Sequence, residues 1–391
     1  MHVLTVNTGS SSVKLGLYRV DDQSVPVLQG VAERIGDHGR LLVRDGTLRF
    51  TDISGSIPNH AEAVRLFLGW LGRERPDAAI EAVGHRIVYG GPHHAAPQII
   101  DEALLTDLRD LVPLDPEHLP PALDAIAVTR AAFPGTLQVA CFDTAFHRAM
   151  PAVAQSYPLP QEPATSGIIR YGFHGLSYEY IMRTLRGIGA ADGRIVIAHL
   201  GNGSSMAAVR EGRPLDTTMG FTPTGGLMMG TRSGDLDPGV LLYLLQIQHQ
   251  TPPELNALVN KRSGLLGVSG SSADMRDLLA RSQREPRAAQ AVELYCYQAR
   301  KFLGAMIAVL GGLDTLVFTG GIGENSAEIR NRICDGFDYL GLEIDAAANS
   351  HARTIISTPG PVTVRVLETN EDAMIAVHTE TIVRNEKESH V

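Results

Sequence analysis

Twice in this chain an apolar strand runs into a short Gly/Ser turn holding an asparagine and leaves it as a second apolar strand. The first instance is V-N-T-G-S-S-S at 6–12, between Val3–Val6 and Val13–Tyr18. The second is H-L-G-N-G-S-S at 199–205, between Ile195–His199 and Met206–Val209. One strand–turn–strand plan carried by both halves predicts two related α/β halves. Alternation through residue 50 extends the first half as a meander. A helix over His60–Gly72 follows, with Ala63, Val64, Phe67, Leu68 and Leu71 on one face. A strand over Ala82–Val88, helices near Leu104–Leu111 and Pro121–Ala132, and a strand at Gln138–Phe142 complete it.

The second half starts near residue 147, where Pro151, Pro158, Pro160 and Pro163 mark a connection. Helices over Gly239–Gln248 and Ala288–Leu310 then alternate with strands at Thr315–Phe318 and Val362–Val366. Gly320–Gly323 reads as a turn, T-N-E-D leads into a terminal helix, and Arg384–Val391 reads as a frayed polar tail.

The 391 residues include 34 Lys plus Arg against 43 Asp plus Glu, a net charge of −9. Such a chain gains no general attraction to nucleic acid or anionic lipid, so anions must be held by local chemistry. The scattered Cys141, Cys296 and Cys334 form no C-x-x-C, which argues for a reducing compartment. No signal-type opening and no membrane-length apolar run is present, so the expected location is cytoplasmic.

Glycine-rich turns follow apolar strands at 7–12, 201–205, 225–234 and 320–323. Converging backbone N–H groups in such turns bind phosphate without net positive charge. No G-x-x-x-x-G-K-[ST], G-x-S-x-G or H-E-x-x-H is present, which disfavours a P-loop, a serine nucleophile and a zinc site. Lys14 is either an exposed strand lysine or a charge for phosphate. Arg86, on a buried-looking strand in G-H-R-I-V-Y-G-G, needs an anion, and Arg232 sits inside M-G-T-R-S-G-D. Asp143 in F-D-T-A-F-H and Glu371 in T-N-E-D are candidates for Mg²⁺ or for caps, while Asp235 and Asp237 read as loop or cap residues. His174 and His199 each stand beside glycine, as structural or functional groups.

In order along the chain, N-T-G-S-S-S-V-K, G-H-R-I-V-Y-G-G, F-D-T-A-F-H, Y-G-F-H-G, I-A-H-L-G-N-G-S-S, G-L-M-M-G-T-R-S-G-D-L-D-P, T-G-G-I-G-E-N and T-N-E-D resemble the motifs of acetate kinases. These are short-chain acyl kinases of the actin-like ATPase superfamily, and the resemblance covers essentially the whole chain. It implies a duplicated actin-like, ribonuclease-H-type α/β fold with an active-site cleft between two domains. These would be 1–146, joined by the C-terminal helix at about 372–391, and 147–371. It implies reversible Mg²⁺-dependent phosphoryl transfer from ATP to acetate, Mn²⁺ being a possible substitute, and a homodimer. Arg86, Asp143, His174 and Arg232 would be catalytic; Arg86, Val88, Phe173 and Pro223 would hold the acyl group. Asn7 and Glu371 would serve the metal, and Ser10 and Ser12 the phosphates. The nucleotide would meet Lys14, His199, Leu200, Gly201, Asn202, Gly203, Asp274, Met275, Arg276, Gly320, Gly321, Ile322, Gly323, Glu324 and Asn325.

The chain departs from the family pattern near the acyl group. Glu117-His118-Leu119-Pro120-Pro121-Ala122 replaces Leu-His-Asn-Pro-Pro-Asn, and Thr222-Pro223-Thr224-Gly225-Gly226 replaces Thr-Pro-Leu-Glu-Gly. Tyr89, Pro92 and Tyr178 also differ. A carboxylate at Glu117 is unwelcome against a methyl group, which leaves propionate or another short acid as rivals to acetate. A nucleotide-driven clamp and a polyol kinase are the other readings this fold allows; the two arginines argue against the first and the flanking motifs against the second.

Overall fold

The computed structural model describes residues 1–9, 12–20, 24–45 and 50–389. They form two compact units: Met1–Phe146 with Gly175–Tyr180 and Asn370–Val391, and His147–His174 with Ile181–Thr369.

The first unit is built on eight strands: β1 (His2–Thr8), β2 (Ser12–Arg19), β3 (Val25–Glu33), β4 (Gly36–Asp45), β5 (Phe50–Ile57), β6 (Ala82–Ile87), β7 (Gln98–Ile99) and β8 (Leu137–Phe142). Their order is β5-β4-β3-β2-β1-β6-β8-β7. The first five form the antiparallel meander, while β6 runs parallel to β1 and β8 parallel to β6. Helix α1 (His60–Glu74) starts where the Asn59 side chain accepts the Glu62 N–H. It buries Ala63, Val64, Phe67, Trp70 and Leu71; Leu68, expected on that face, is only half-buried. Phe67 packs where Gly30 leaves room, since a Cβ there would lie 2.6 Å from its ring. Helices α2 (Glu102–Asp110) and α3 (Leu119–Ala132) precede β8.

The second unit opens with α4 (Ala152–Gln155), so the proline-rich stretch belongs to its body, with Ser156 bridging to Ile169. Helix α5 (Gly175–Gly187) leads to β9 (Arg194–Leu200), β10 (Ser204–Arg210) and β11 (Arg213–Thr217). Helices α6 (Pro238–Gln246), α7 (Pro252–Lys261), α8 (Gly264–Ser269), α9 (Met275–Arg281) and α10 (Pro286–Leu310) precede β12 (Thr315–Thr319). After α11 (Gly320–Asn325), α12 (Ala327–Cys334) and α13 (Ala346–Ser350), β13 (Thr363–Val366) closes the sheet, and α14 (Glu371–Ser389) ends the chain. The strand order is β11-β10-β9-β12-β13. Helix α10 forms the spine of the core, burying Val292, Tyr295, Leu303 and Leu310.

Each sheet repeats one plan. In β3-β2-β1-β6-β8 and in β11-β10-β9-β12-β13 the first three strands are antiparallel and the last two parallel to the central one. The duplication expected from the two Gly/Ser turns is therefore present in strand order and direction.

Two local expectations are corrected. Gly320–Gly323 opens a helix instead of making a turn: Gly320 has φ +77, and the Glu324 carboxylate accepts its N–H at 2.8 Å and the Thr319 hydroxyl at 3.2 Å. That side chain thereby caps the first turn of α11. While His390 and Val391 lie outside the described residues, Arg384–Ser389 of the tail expected to fray instead continues α14. Its buried face, including Ile375, Ala376, Thr379 and Val383, anchors the helix, and Glu380 pairs with Arg384 one turn on. Ser10 falls outside the described residues. Among those residues, no helix is long and apolar enough to cross a membrane.

Candidate active site

In the first unit, Asn7 near the end of β1, Arg86 on β6 and Asp143 just past β8 meet the opening of α14. Neighbouring parallel strands that end together bring side chains together there. Arg86 donates to Asp143 Oδ2 from Nε (2.9 Å) and Nη2 (2.5 Å), and to Asn7 Oδ1 from Nη1 (3.2 Å). The amide of Asn7 donates in turn to Glu371 Oε2 and Asp372 Oδ1, both at 3.1 Å. The anion that Arg86 needs on a buried strand is thus supplied by the protein.

Asp143 is fully buried, and its Oδ1 has no hydrogen-bond partner among the described residues. Burial lifts its carboxyl above the usual carboxylate range; Arg86 pulls it down and Glu371 pushes it up. Asp372 is raised chiefly by burial, against the pull of Lys14 and Asn7. Arg86 loses by burial but is held protonated by Asp143, then Glu371. The cluster carries an acidic surplus around one guanidinium, offering hard oxygen donors and an orphaned buried oxygen. Such oxygen donors are the kind a divalent cation takes; among the described residues no group of three or more His, Cys, Asp or Glu is placed to hold a metal. Val88 is buried, Lys14 is exposed, and the Ser12 carbonyl accepts the Gly9 N–H at 2.8 Å.

In the second unit the β9–β10 turn is cross-linked by hydrogen bonds. Gly201 N–H donates to Gly203 O (3.1 Å), and the Ser204 hydroxyl donates to Gly201 O (3.0 Å) and meets Tyr295 Oη at 3.0 Å. Gly230 N–H donates to Asn202 O at 2.9 Å, which locks this turn to the loop carrying Arg232. That loop is also tied to α7, through Thr231 Oγ1 on Asn260 O (2.8 Å), Ser233 N–H on Val259 O (2.9 Å) and Thr224 Oγ1 on Asn260 Oδ1 (2.5 Å). Arg232 Nη1 donates to Pro223 O at 3.0 Å. As expected, Asp235 and Asp237 serve the local backbone, accepting from Gly226 and Gly239 N–H.

The His174 and His199 rings stack, centroids 4.2 Å apart and planes 24° apart. A Cβ built on Gly203 would lie 3.3 Å from His174 Nε2 and 3.6 Å from Arg232 Nη1. Imidazole and guanidinium therefore converge on one stretch of backbone in a glycine turn. Phe173 is buried, and its carbonyl receives His147 Nε2 at 3.0 Å.

Beside this turn opens a cavity of about 790 Å³, a size suited to a nucleotide. Of the residues expected to meet ATP, Gly201, Asn202, Asp274, Met275, Arg276, Gly321, Ile322 and Asn325 line it. Asp274 caps α9 and pairs with Arg276 at 2.9 Å. His199, Leu200, Gly203, Gly320, Gly323 and Glu324 do not line it, and Lys14 lies in the first unit. Sequence reasoning missed Asp372, although it directly follows Glu371. It also missed Ser205, the last residue of the second turn, and Ala273, Leu279 and Ser326 of the cavity wall.

A family model described as the Acetokinase family matches residues 2–377. The chain belongs to the acetokinase family. An acetate kinase of Methylocella silvestris is 45% identical, with 96% of each chain covered. One from Clostridium botulinum is 41% identical over 98% of this chain and 99% of its own. Among solved structures, Porphyromonas gingivalis acetate kinase superposes with a TM-score of 0.87 at 37% identity, covering 98% of this chain and 99% of that one. A propionate kinase from Francisella tularensis reaches 0.91 at 34% identity, covering 97% and 99%. For this acetokinase-family chain, the likeness in sequence and in fold extends along nearly its whole length.

Proposed function

We propose that this chain is an acetate kinase, transferring the γ-phosphoryl group of ATP reversibly to acetate. A carboxylate oxygen forms the new P–O bond while the bond to the bridging β,γ oxygen breaks, its electron pair leaving with ADP. The observation that carries this reading is the convergence of His174 Nε2 and Arg232 on Gly203, in the turn whose Gly201 and Asn202 line the nucleotide-sized cavity. Acetate is ionised at neutral pH and needs no general base, so the protein's task is alignment and charge neutralisation.

In this reading His174 and Arg232 donate to the transferring group, and Arg86, kept charged by Asp143, binds acyl or phosphoryl oxygens. Val88, Phe173 and Pro223 supply apolar contact for the methyl group. Asn7, Asp143 and Glu371 would hold Mg²⁺, or Mn²⁺ in its place; when bound, such an ion neutralises phosphate charge. Lys14, Ser10 and Ser12 would face phosphate. The His199 to Gly203 turn, Asp274–Arg276 and Gly320–Asn325 would hold the rest of the nucleotide.

The two compact units are taken as the two domains. A homodimer is supported by the apolar surface along α6, where Val240, Leu242, Tyr243, Leu245 and Ile247 are exposed. Three buried, free thiols support a cytoplasmic location. The superposition on a propionate kinase supports propionate as the second substrate to try.

The test is ADP release with ATP and Mg²⁺ on acetate, propionate, butyrate and glycerol, with hydroxylamine trapping acyl phosphate. The strongest hydroxamate signal is expected with acetate. A signal only with longer acids moves the substrate, and no trapped product from any acid defeats the proposal.

A further inference from the structure

His174 has left-handed backbone, φ 58 and ψ 26, at the residue before α5. This conformation is unfavourable by about 1 kcal/mol for a side chain other than glycine. An outlier of this kind persists where surrounding contacts hold it. Here they include a stack and a hydrogen bond, both supplied by one cross-strand pair. Ser205 on β10 stands directly opposite His199 on β9. Side chains paired in this way project on the same face of a sheet. The His174 ring lies against both, stacked on His199 and with Nδ1 2.9 Å from Ser205 Oγ. Ser205 is fully buried.

The chemical identity of that partner matters. A carboxylate at Nδ1 can only accept, which fixes the proton there and leaves Nε2 without one in the neutral ring. A hydroxyl can donate. Nε2 is the nitrogen beside Gly203 and Arg232, where a donor is useful to a phosphoryl group and a lone pair is not.

We propose that Ser205 is a positioning residue for this site: its hydroxyl donates to His174 Nδ1, so that the neutral ring carries its proton on Nε2 and presents it beside Arg232. His199 supplies the flat wall against which the ring is held, so orientation and tautomer are both set by one rung of the β9–β10 ladder. The inference rests on the role given to His174 above.

The test compares Ser205→Ala and Ser205→Thr with the unsubstituted enzyme, each first checked for native circular dichroism and melting. In ¹⁵N-histidine-labelled protein, with the His174 signals assigned by their loss in His174→Ala, the unsubstituted enzyme should show the proton on Nε2. Ser205→Ala should shift the His174 population towards Nδ1–H. Its kcat should fall about 10- to 100-fold with KM for ATP changed less than about twofold. Ser205→Thr, which keeps the hydroxyl, should recover most of that loss and the Nε2–H signature. The inference is overturned if Ser205→Ala keeps both the Nε2–H signature and a kcat within about twofold of the parent. It is equally overturned if Ala and Thr lose activity alike with the tautomer unmoved. Should His174→Ala keep full turnover, the reading of the site itself fails. An inactive His174→Ala beside a fully active Ser205→Ala fails this inference alone.

Discussion

The two units start from the same five-strand plan and put opposite chemistry at its central turn. In the first, β1 delivers Asn7 into a cluster where one arginine faces Asp143, with Glu371 and Asp372 beyond the amide. In the second, β9 and β10 deliver backbone and imidazole, and Arg232 is satisfied by a carbonyl and held by loops tied to α7. A duplicated scaffold thus dictates where a site can form without dictating its charge. The acidic cluster suits a cation, whereas the glycine turn with its histidines suits phosphate oxygens.

The largest effect that tests this contrast is removal of each arginine. Arg86→Ala and Arg232→Ala should each cut turnover by about 10³-fold or more, read as ADP release. Their stabilities should diverge. Loss of Arg86 leaves Asp143 buried without its ion-pair partner and should cost about 3 kcal/mol or more in urea unfolding. Arg232→Ala removes donors to the uncharged Pro223 carbonyl and Met229 sulfur and should cost less, about 1 kcal/mol. Equal destabilisation would erase the distinction between a charge-balanced and a backbone-built site.

Acid treatment asks whether the units share a weakness. His85 in the first and His147 in the second are buried, and burial lowers both to about 4, against the hydrogen bonds they donate to Gln138 Oε1 and to the Phe173 carbonyl. The unfolded chain takes up protons near pH 6.5 and the folded chain does not. Their contribution is therefore full above about pH 6.5 and is lost as pH falls towards 4, up to about 3 kcal/mol each. Urea melts at pH 7 and pH 4.5 should show this loss, and His85→Gln and His147→Gln should each flatten it. A substitution that leaves the slope unchanged would remove that histidine from the account.

The smallest expected effect concerns substrate choice. Glu117 is half-buried in the turn before α3, next to His118, which is bound to Asp115 at 2.7 Å. Glu117→Leu should lower KM for propionate about threefold relative to acetate, a change of the size one methylene contributes. No change in the ratio would place acyl selection elsewhere.

Much of this was legible along the chain because glycine turns and strand alternation are local signals. The repeated V-N-T-G-S-S-S and H-L-G-N-G-S-S segments announced the duplication, and Arg86 announced a buried anion by its burial alone. Other features were not legible. Gly320–Gly323 read as a turn because glycine weakens a helix, and only the Glu324 carboxylate, arriving from within the same helix, tips the balance. Asp372 carries no signal of its own beside Glu371; that the amide of Asn7 donates to both depends on the fold. Ser205 carries no local signal either, because its partner His174 lies 31 residues away.

The sequence by itself determined the duplicated α/β plan, the family and the set of groups able to handle phosphate and carboxylate, since these follow from period, turn chemistry and side-chain type. Only the tertiary structure decided the pairings: Arg86 with Asp143, 57 residues apart, Asn7 with Glu371, 364 apart, and His174 with Ser205, 31 apart. Such pairings depend on which strand ends the sheet places side by side. Strand order is the product of packing the whole sheet and its helices, which no local stretch of residues specifies.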